Sequence, residues 1–230
     1  MRSDAREVAW QVVLAVGGGA LVGAVVGGIG GRLAMLVLRL GSPDVVLGVQ
    51  TDDGFEIGVF TTSSFFLLTV TAGLGGATGL AYLVLREGLP RRGRAVLWGV
   101  FLGAVTGASN LAPGSLDFSI LDPKSFAVAS FVALPGIAAL LIALLVDRLL
   151  EVEPWSNRLL ALVLGVCALP LVPVAPVIAL VGGAMLLLRR SPKLLHVIGR
   201  IGKVAVPAVV AVLTVRGVLE IWDDAHLIIG

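Results

Sequence analysis

Residues 15–31 read AVGGGALVGAVVGGIGG, and residues 95–107 read AVLWGVFLGAVTG. In the first stretch Gly19, Gly23, Gly27 and Gly31 recur at every fourth position, and Gly99, Gly103 and Gly107 do the same in the second. Ala15 and Ala95 extend the two series by one step. On a helix, residues four apart lie on nearly the same face. Each stretch therefore carries a stripe almost free of side chains. In water such a helix is poor, because glycine weakens a helix interior by about 1 kcal/mol relative to alanine. In lipid the stripe lets two backbones approach closely, and dispersion drives the contact. These seven glycines are the expected helix-packing residues, a glycine-zipper pattern.

Composition agrees with a membrane environment. Of 230 residues, 57% are hydrophobic and only 14% charged, with a mean hydropathy of +1.03. Soluble domains average about 25% charged residues. The chain reads as one all-α polytopic membrane domain over 1–230, without a sizeable soluble part. Cys167 is the only cysteine, which excludes an internal disulfide and a cysteine metal cluster. Arginine far outnumbers lysine, and Ala, Gly, Val and Leu dominate. That bias suits a GC-rich bacterial genome and hence a bacterial cytoplasmic (inner) membrane. Arg2 and Arg6 before an apolar run imitate a secretory signal, but the run continues to Gly31, too long for a signal core. The first span is expected to stay uncleaved.

Five apolar segments are long enough to cross: 8–31 (able to run on to Leu40), 59–85, 95–112, 126–146 and 204–222. Between the first two, the β-prone runs 45–49 and 55–60 flank Asp52-Asp53-Gly54, a hairpin turn signal that predicts a short β-hairpin outside the bilayer. Segment 159–188 is different. As one helix it would be about 45 Å long against a hydrocarbon core of about 30 Å. Pro170, Pro173 and Pro176 sit at its midpoint, where proline breaks the hydrogen-bond ladder. Two readings follow: a re-entrant hairpin of two half-length helices beside five full spans, or six full spans.

Basic residues favour the first. Arg2, Arg6, Arg86, Arg91, Arg92, Arg94, Arg148 and Arg158 share one side if spans one to four cross in order, and that side is cytoplasmic. The opposite loops carry Asp44, Asp52, Asp53, Glu56, Asp117 and Asp122. Arg189, Arg190, Lys193, Arg200 and Lys203 then arrive without an acidic residue among them. They fall inside only if 159–188 dips in and returns, which puts the N-terminus inside and the C-terminus outside. In that position the 189–203 segment is suited to rest on anionic lipid. Trp10 and Trp98 mark inner span ends and Trp222 an outer one, where amphipathic rings settle.

Segments 8–85 and 95–147 have the same plan: a glycine-striped helix, an acidic outer loop and a second helix rich in small residues. Gly54-Phe55-Glu56-Ile57 echoes Asp117-Phe118-Ser119-Ile120. Both hairpins point the same way, so a duplication would be a parallel repeat about an axis along the membrane normal, as in some transporters. Any two helical hairpins from a Gly- and Ala-rich chain also look alike.

Few residues carry chemistry. Arg32 follows the first stripe and can grip an anion, pair with Glu56 or Asp117, or snorkel to headgroups. Arg216 and Glu220 stand one helical turn apart and can pair, either on an ion path or as a self-neutralised unit. Asn110, one turn beyond Gly107, places an amide within the membrane that needs a partner. The hydroxyls of spans two and three, Thr71 and Thr106 among them, can line a hydrated path or bond their own helix backbone. Asp52, Asp53, Glu56, Asp117 and Asp122 gather oxygen ligands outside, but the alternating spacing of a calcium loop is absent, so no metal site is assigned. The chain has no Gly-x-Ser-x-Gly elbow and no phosphate-binding glycine loop, and its two histidines have no evident partner. No cofactor, catalytic residue or nucleic-acid partner is expected. The leading expectation is a non-enzymatic, close-packed membrane subunit that associates with itself or another subunit through its glycine stripes. The alternative is a small transporter or channel for an ion or small solute, with Arg32, Asn110, Arg216 and Glu220 on its path. A compartment-sensitive reporter fused after Gly230 is expected to read the outer side; a cytoplasmic signal would remove the re-entrant reading.

Overall fold

The computed structural model of the chain describes residues 2–43, 49, 62–151, 158–169, 175–190 and 192–229. These are helical wherever they are regular, and no strand occurs among them. The expected β-hairpin lies in 44–61 and, Val49 apart, falls outside the described residues. Four helical stretches are long and apolar enough to cross a membrane: Ala5–Gly41, Ser64–Leu85, Lys124–Leu149 and Arg200–Ile229.

The first of these is one rod in three parts: α1 (Arg2–Val22), a π-helical segment (Gly23–Gly30) and α2 (Gly31–Gly41). It packs against α3 (Thr62–Leu85). The glycine stripe makes this contact. A methyl group added at Gly19 would stand 2.2 Å from the Gly75 carbonyl oxygen, and one added at Gly75 would stand 2.2 Å from the Gly19 carbonyl oxygen. Gly79 presses equally closely on the Ala15 carbonyl. Backbone touches backbone, and no side chain fits between.

The stripe faces α3 as far as Gly27, where an added methyl group would stand 3.0 Å from Thr71 Cβ, and leaves it before Gly31. The π segment widens each turn through i→i+5 bonding, so the four-residue period drifts off the contact face. Gly28 rather than Gly31 then meets α3, at Leu68 and Thr71, while nothing lies within 4 Å of a methyl group at Gly31. A run of glycines favours such a distortion, because no side chain locks the turn and the α-helix is intrinsically weak there.

The second hairpin joins α4 (Arg94–Asn110) to α6 (Lys124–Leu149) through the one-turn helix α5 (Leu116–Ile120). Its central contact is again glycine on glycine. A methyl group at Gly99 would reach 2.9 Å from the Gly136 carbonyl oxygen, and one at Gly103 3.2 Å from the Gly136 Cα. At 17 residues, or about 26 Å, α4 is shorter than the four long helices. Both stripes are thus occupied by helices of the same chain.

Three further helices occur among the described residues. α7 (Arg158–Cys167) and α8 (Ala175–Arg190) are short, at 10 and 16 residues. Pro176 is accommodated in the first turn of α8, where its missing N–H costs nothing. α9 (Pro192–Ile229) runs for 38 residues, well beyond the expected 204–222, because nothing between Lys193 and His226 stops a helix except Pro207, which it absorbs. α9 lies on α4, with Gly217 against the Ala104 carbonyl.

Trp10 and Trp98 were expected at the interface. Both are instead 2% exposed. Trp98 stacks obliquely on Tyr82 at 5.8 Å and on Phe101 at 5.5 Å, and Trp10 is enclosed with Leu14, Leu149 and Leu164. Ring burial inside the bundle wins over interfacial settling because the surrounding helices supply close apolar partners. Trp222 is outward-facing and edge-on to His226.

The backbone contact makes a stability prediction. Gly75→Leu is expected to cost about 3 kcal/mol or to block folding, since overpacking a rigid site costs 1–3 kcal/mol or more. Gly73→Leu, where nothing lies within 4 Å, is expected to be tolerated. Thermal unfolding in mild detergent, followed by circular dichroism, separates the two.

Candidate functional site

The two hairpins do not close completely on each other. Between them lies a cleft of about 350 Å³. Gly23, Gly27 and Gly31 form one wall, and the bare backbone there is what leaves the space. The other walls come from α3, α4 and α6, which contribute Thr71, Thr78, Thr106, Asn110 and Ser130 among mostly apolar neighbours.

Four of these five polar side chains donate to a carbonyl of their own helix. Thr71 Oγ1 donates to the Leu67 carbonyl at 2.8 Å. The Thr106 hydroxyl donates to the Leu102 carbonyl and the Ser130 hydroxyl to the Phe126 carbonyl. Asn110 Nδ2 donates to the Thr106 carbonyl at 2.7 Å. A hydroxyl whose proton is committed to the preceding turn presents only lone pairs to its surroundings. Asn110 keeps its carbonyl oxygen as an acceptor and its second amide N–H as a donor. Pro135, also in the wall, has no N–H to offer the Phe131 carbonyl. The cleft therefore offers more acceptors than donors.

Of Arg32, Asn110, Arg216 and Glu220, Asn110 lines this cleft, together with the hydroxyl residues Thr71 and Thr106. Arg32 belongs to the same rod as Gly31 and Met35, which do line it, but lies off the lining face. Its Nε and one NH2 nitrogen are enclosed, and its other terminal nitrogen is 4.0 Å from Met35 Sδ. Arg216 Nε and Glu220 Oε1 form the expected pair at 2.8 Å. The pair stands on the outer face of α9, 73% and 45% exposed, beside Asp223 and away from the cleft. Asp52, Asp53 and Glu56 fall outside the described residues, and of Asp117 only the backbone is described. Asp122 donates its backbone N–H to Ser42 Oγ at 2.8 Å, which ties the ends of the two hairpins together.

A second polar assembly, not anticipated from the sequence, sits at the opposite end. Asp147, in the last turn of α6, accepts from Tyr82 Oη and from Arg94 Nε, both at 2.8 Å, and its other oxygen is 3.6 Å from Arg86. One carboxylate thus joins α3, α4 and α6. The apolar run of α6 continues past its expected end at Val146, so Asp147 falls on the helix rather than in a loop. Tyr82 is the chain's only tyrosine and was a cue. Nothing in the spacing connects positions 82, 94 and 147.

Asp147→Asn is expected to lower stability by about 2 kcal/mol, since hydrogen bonds to a charged group contribute 1.5–3 kcal/mol each and its partners keep some solvent access. Tyr82→Phe is expected to cost about 1 kcal/mol. Thermal unfolding in detergent measures both, and equal stability of the Asn variant would deny the node a structural role. No known family model, curated protein or solved structure matches this chain.

Proposed function

We propose that the chain is a non-enzymatic membrane protein that binds a small amphipathic solute between its two hairpins, the binding step of a small transporter. The observation that carries this reading is the acceptor-rich cleft. Its volume falls in the range of small-molecule sites, which are mostly apolar with a few placed polar groups. A solute that fits has an apolar body and a polar end that donates hydrogen bonds, such as a hydroxyl or a primary ammonium. Bare anions are disfavoured, because the lining offers more acceptors than donors and carries no cationic side chain.

The arrangement of the membrane spans is part of the proposal. Five crossing helices (α1–α2, α3, α4, α6 and α9), with α7 and α8 as a re-entrant pair, place the N-terminus inside a bacterial cytoplasmic membrane and the C-terminus outside. Two contacts support this. Leu164 of α7 packs at Gly17, Trp10 and Leu14, and a methyl group added at Gly182 of α8 would stand 4.0 Å from Val12, so both short helices lie along the same N-terminal half of α1. Lys203 lies with Arg86, Arg91 and Arg94, as the charge rule requires if α9 starts inside. The outer β-hairpin rests on the sequence pattern alone. The matched glycine contacts, Gly19 with Gly75 and Gly103 with Gly136, support reading 8–85 and 95–147 as a parallel repeat, with the cleft at its seam, where repeat transporters bind substrate.

A second reading is favoured by α9. Val204, Val212, Val215 and Leu219 face outward, 60–73% exposed, around the Arg216–Glu220 pair. An ion pair facing lipid is costly, and a neighbouring subunit would cover it. In this reading the chain is a close-packed subunit that associates through α9.

Thermal unfolding of the full chain in detergent, with 1-octanol, octylamine or octanoate added, tests the first reading. The alcohol and the amine are expected to raise the transition and the carboxylate is not. Ala138→Leu, which fills the cleft, is expected to abolish the rise. If all three additives act alike, or if the filled variant responds normally, the solute-binding reading fails. A dimeric mass that reverts to monomer in Arg216→Leu would then leave the subunit reading standing.

A further inference from the structure

Arg86, Arg91 and Arg94 of the α3–α4 connection and Lys203 of α9 line a second cleft, of about 710 Å³. Glu87, Pro90 and Pro207 complete its polar rim. The residues come from segments more than a hundred positions apart. They are brought together because α9 packs against the turn after α3: a methyl group at Gly88 would stand 2.9 Å from the Gly202 carbonyl oxygen and 2.7 Å from Val206 Cβ. The turn ends at Gly93, whose φ of 78° suits glycine and directs the chain into α4. Leu97 N–H bonds the Gly93 carbonyl at 2.9 Å, so the positive end of α4 opens at this rim.

The charges here are held in place. Asp147 fixes Arg94 at 2.8 Å and Arg86 at 3.6 Å, and Glu87 holds the other terminal nitrogen of Arg86 at 3.5 Å. Four cations against two acids leave two positive charges over. Arginine presents several donors at once, the geometry that suits phosphate oxygens. We propose that this cleft is a binding site for a phosphate-ester anion, independent of the cleft between the hairpins. Two sources share that chemistry, the headgroup of an anionic phospholipid and a free phosphate. Of the 189–203 segment expected to meet anionic lipid, Lys203 joins this cleft, with three arginines from another part of the chain.

Arg91 and Lys203 are the residues to change, since neither takes part in the Asp147 pairs. The full chain in phosphatidylcholine nanodiscs is titrated with phosphatidylglycerol and, separately, with inorganic phosphate, with binding read by native mass spectrometry and by thermal shift. Arg148→Gln, which removes an exposed charge paired with Glu151 outside the cleft, is the control. The double variant R91Q/K203Q is expected to bind the anion about thirtyfold more weakly, the loss of two basic contacts to an anionic headgroup, while R148Q binds as the parent does. Retention of phosphatidylglycerol alone identifies a lipid headgroup as occupant, and protection by millimolar phosphate alone identifies a free phosphate. If neither probe binds, or if R148Q loses as much as the double variant, the anion follows overall charge and there is no site. The octanol and octylamine response of the hairpin cleft is expected to be unchanged in R91Q/K203Q, so the two proposals fail separately.

Discussion

The bundle depends on peptide groups from different helices lying against each other with no side chain between them. Gly19 and Gly75 are reciprocal: each occupies the place where the other would carry a methyl group. In lipid, apolar side chains gain little by leaving one apolar medium for another, so close dispersion contact has to hold helices together. A stripe of glycine shortens the separation and multiplies such contacts. It also costs helix stability, and the rod responds by taking a π-helical form from Gly23 to Gly30. The same bare backbone that binds α3 over one stretch leaves an opening over the next. Tight contact and cleft are two outcomes of one composition.

Much of this was legible in the sequence. The four-residue glycine period predicted which helices approach closely, and Gly99, Gly103 and Gly136 behave as the pattern implies. The apolar lengths anticipated the four helices long enough to cross a membrane, while 170–174, with Pro170 and Pro173, lies outside the described residues. The drift of the stripe at Gly27 to Gly31 was not legible, because a fixed period assumes an unchanging turn. The partner side of each contact was less visible still. Gly75 and Gly79 do stand four apart, but among the adjacent small residues Gly73, Gly76 and Ala77 the contact face of α3 does not stand out, and Gly136 has no glycine four residues away.

The candidate sites show the same division. Asn110 stood out because an amide in an apolar helix calls for a partner, and it does line the cleft. Thr71, Thr106 and Ser130 matter only jointly. Their shared character as acceptors arises from bonds to their own helices, and periodicity cannot show which way a lone pair faces. The Asp147 assembly joins three helices through residues 53 and 65 positions apart, a distance over which sequence pattern carries no information. Arg216 and Glu220, one turn apart, were the easy case, and local geometry alone produced their pair.

The two hairpins differ in stiffness from the seam between them. Inside each hairpin, backbone is jammed against backbone, and sliding one helix along its mate would drive carbonyl oxygens into α-carbons. Across the seam, the neighbours are side chains and empty volume, tied at one end by Ser42 and Asp122 and at the other by the Asp147 carboxylate reaching Tyr82. Mechanical compliance is thus concentrated in a single plane. Two rigid blades hinged at their tips can part only there, so any breathing of the molecule becomes a change in the width of one slot.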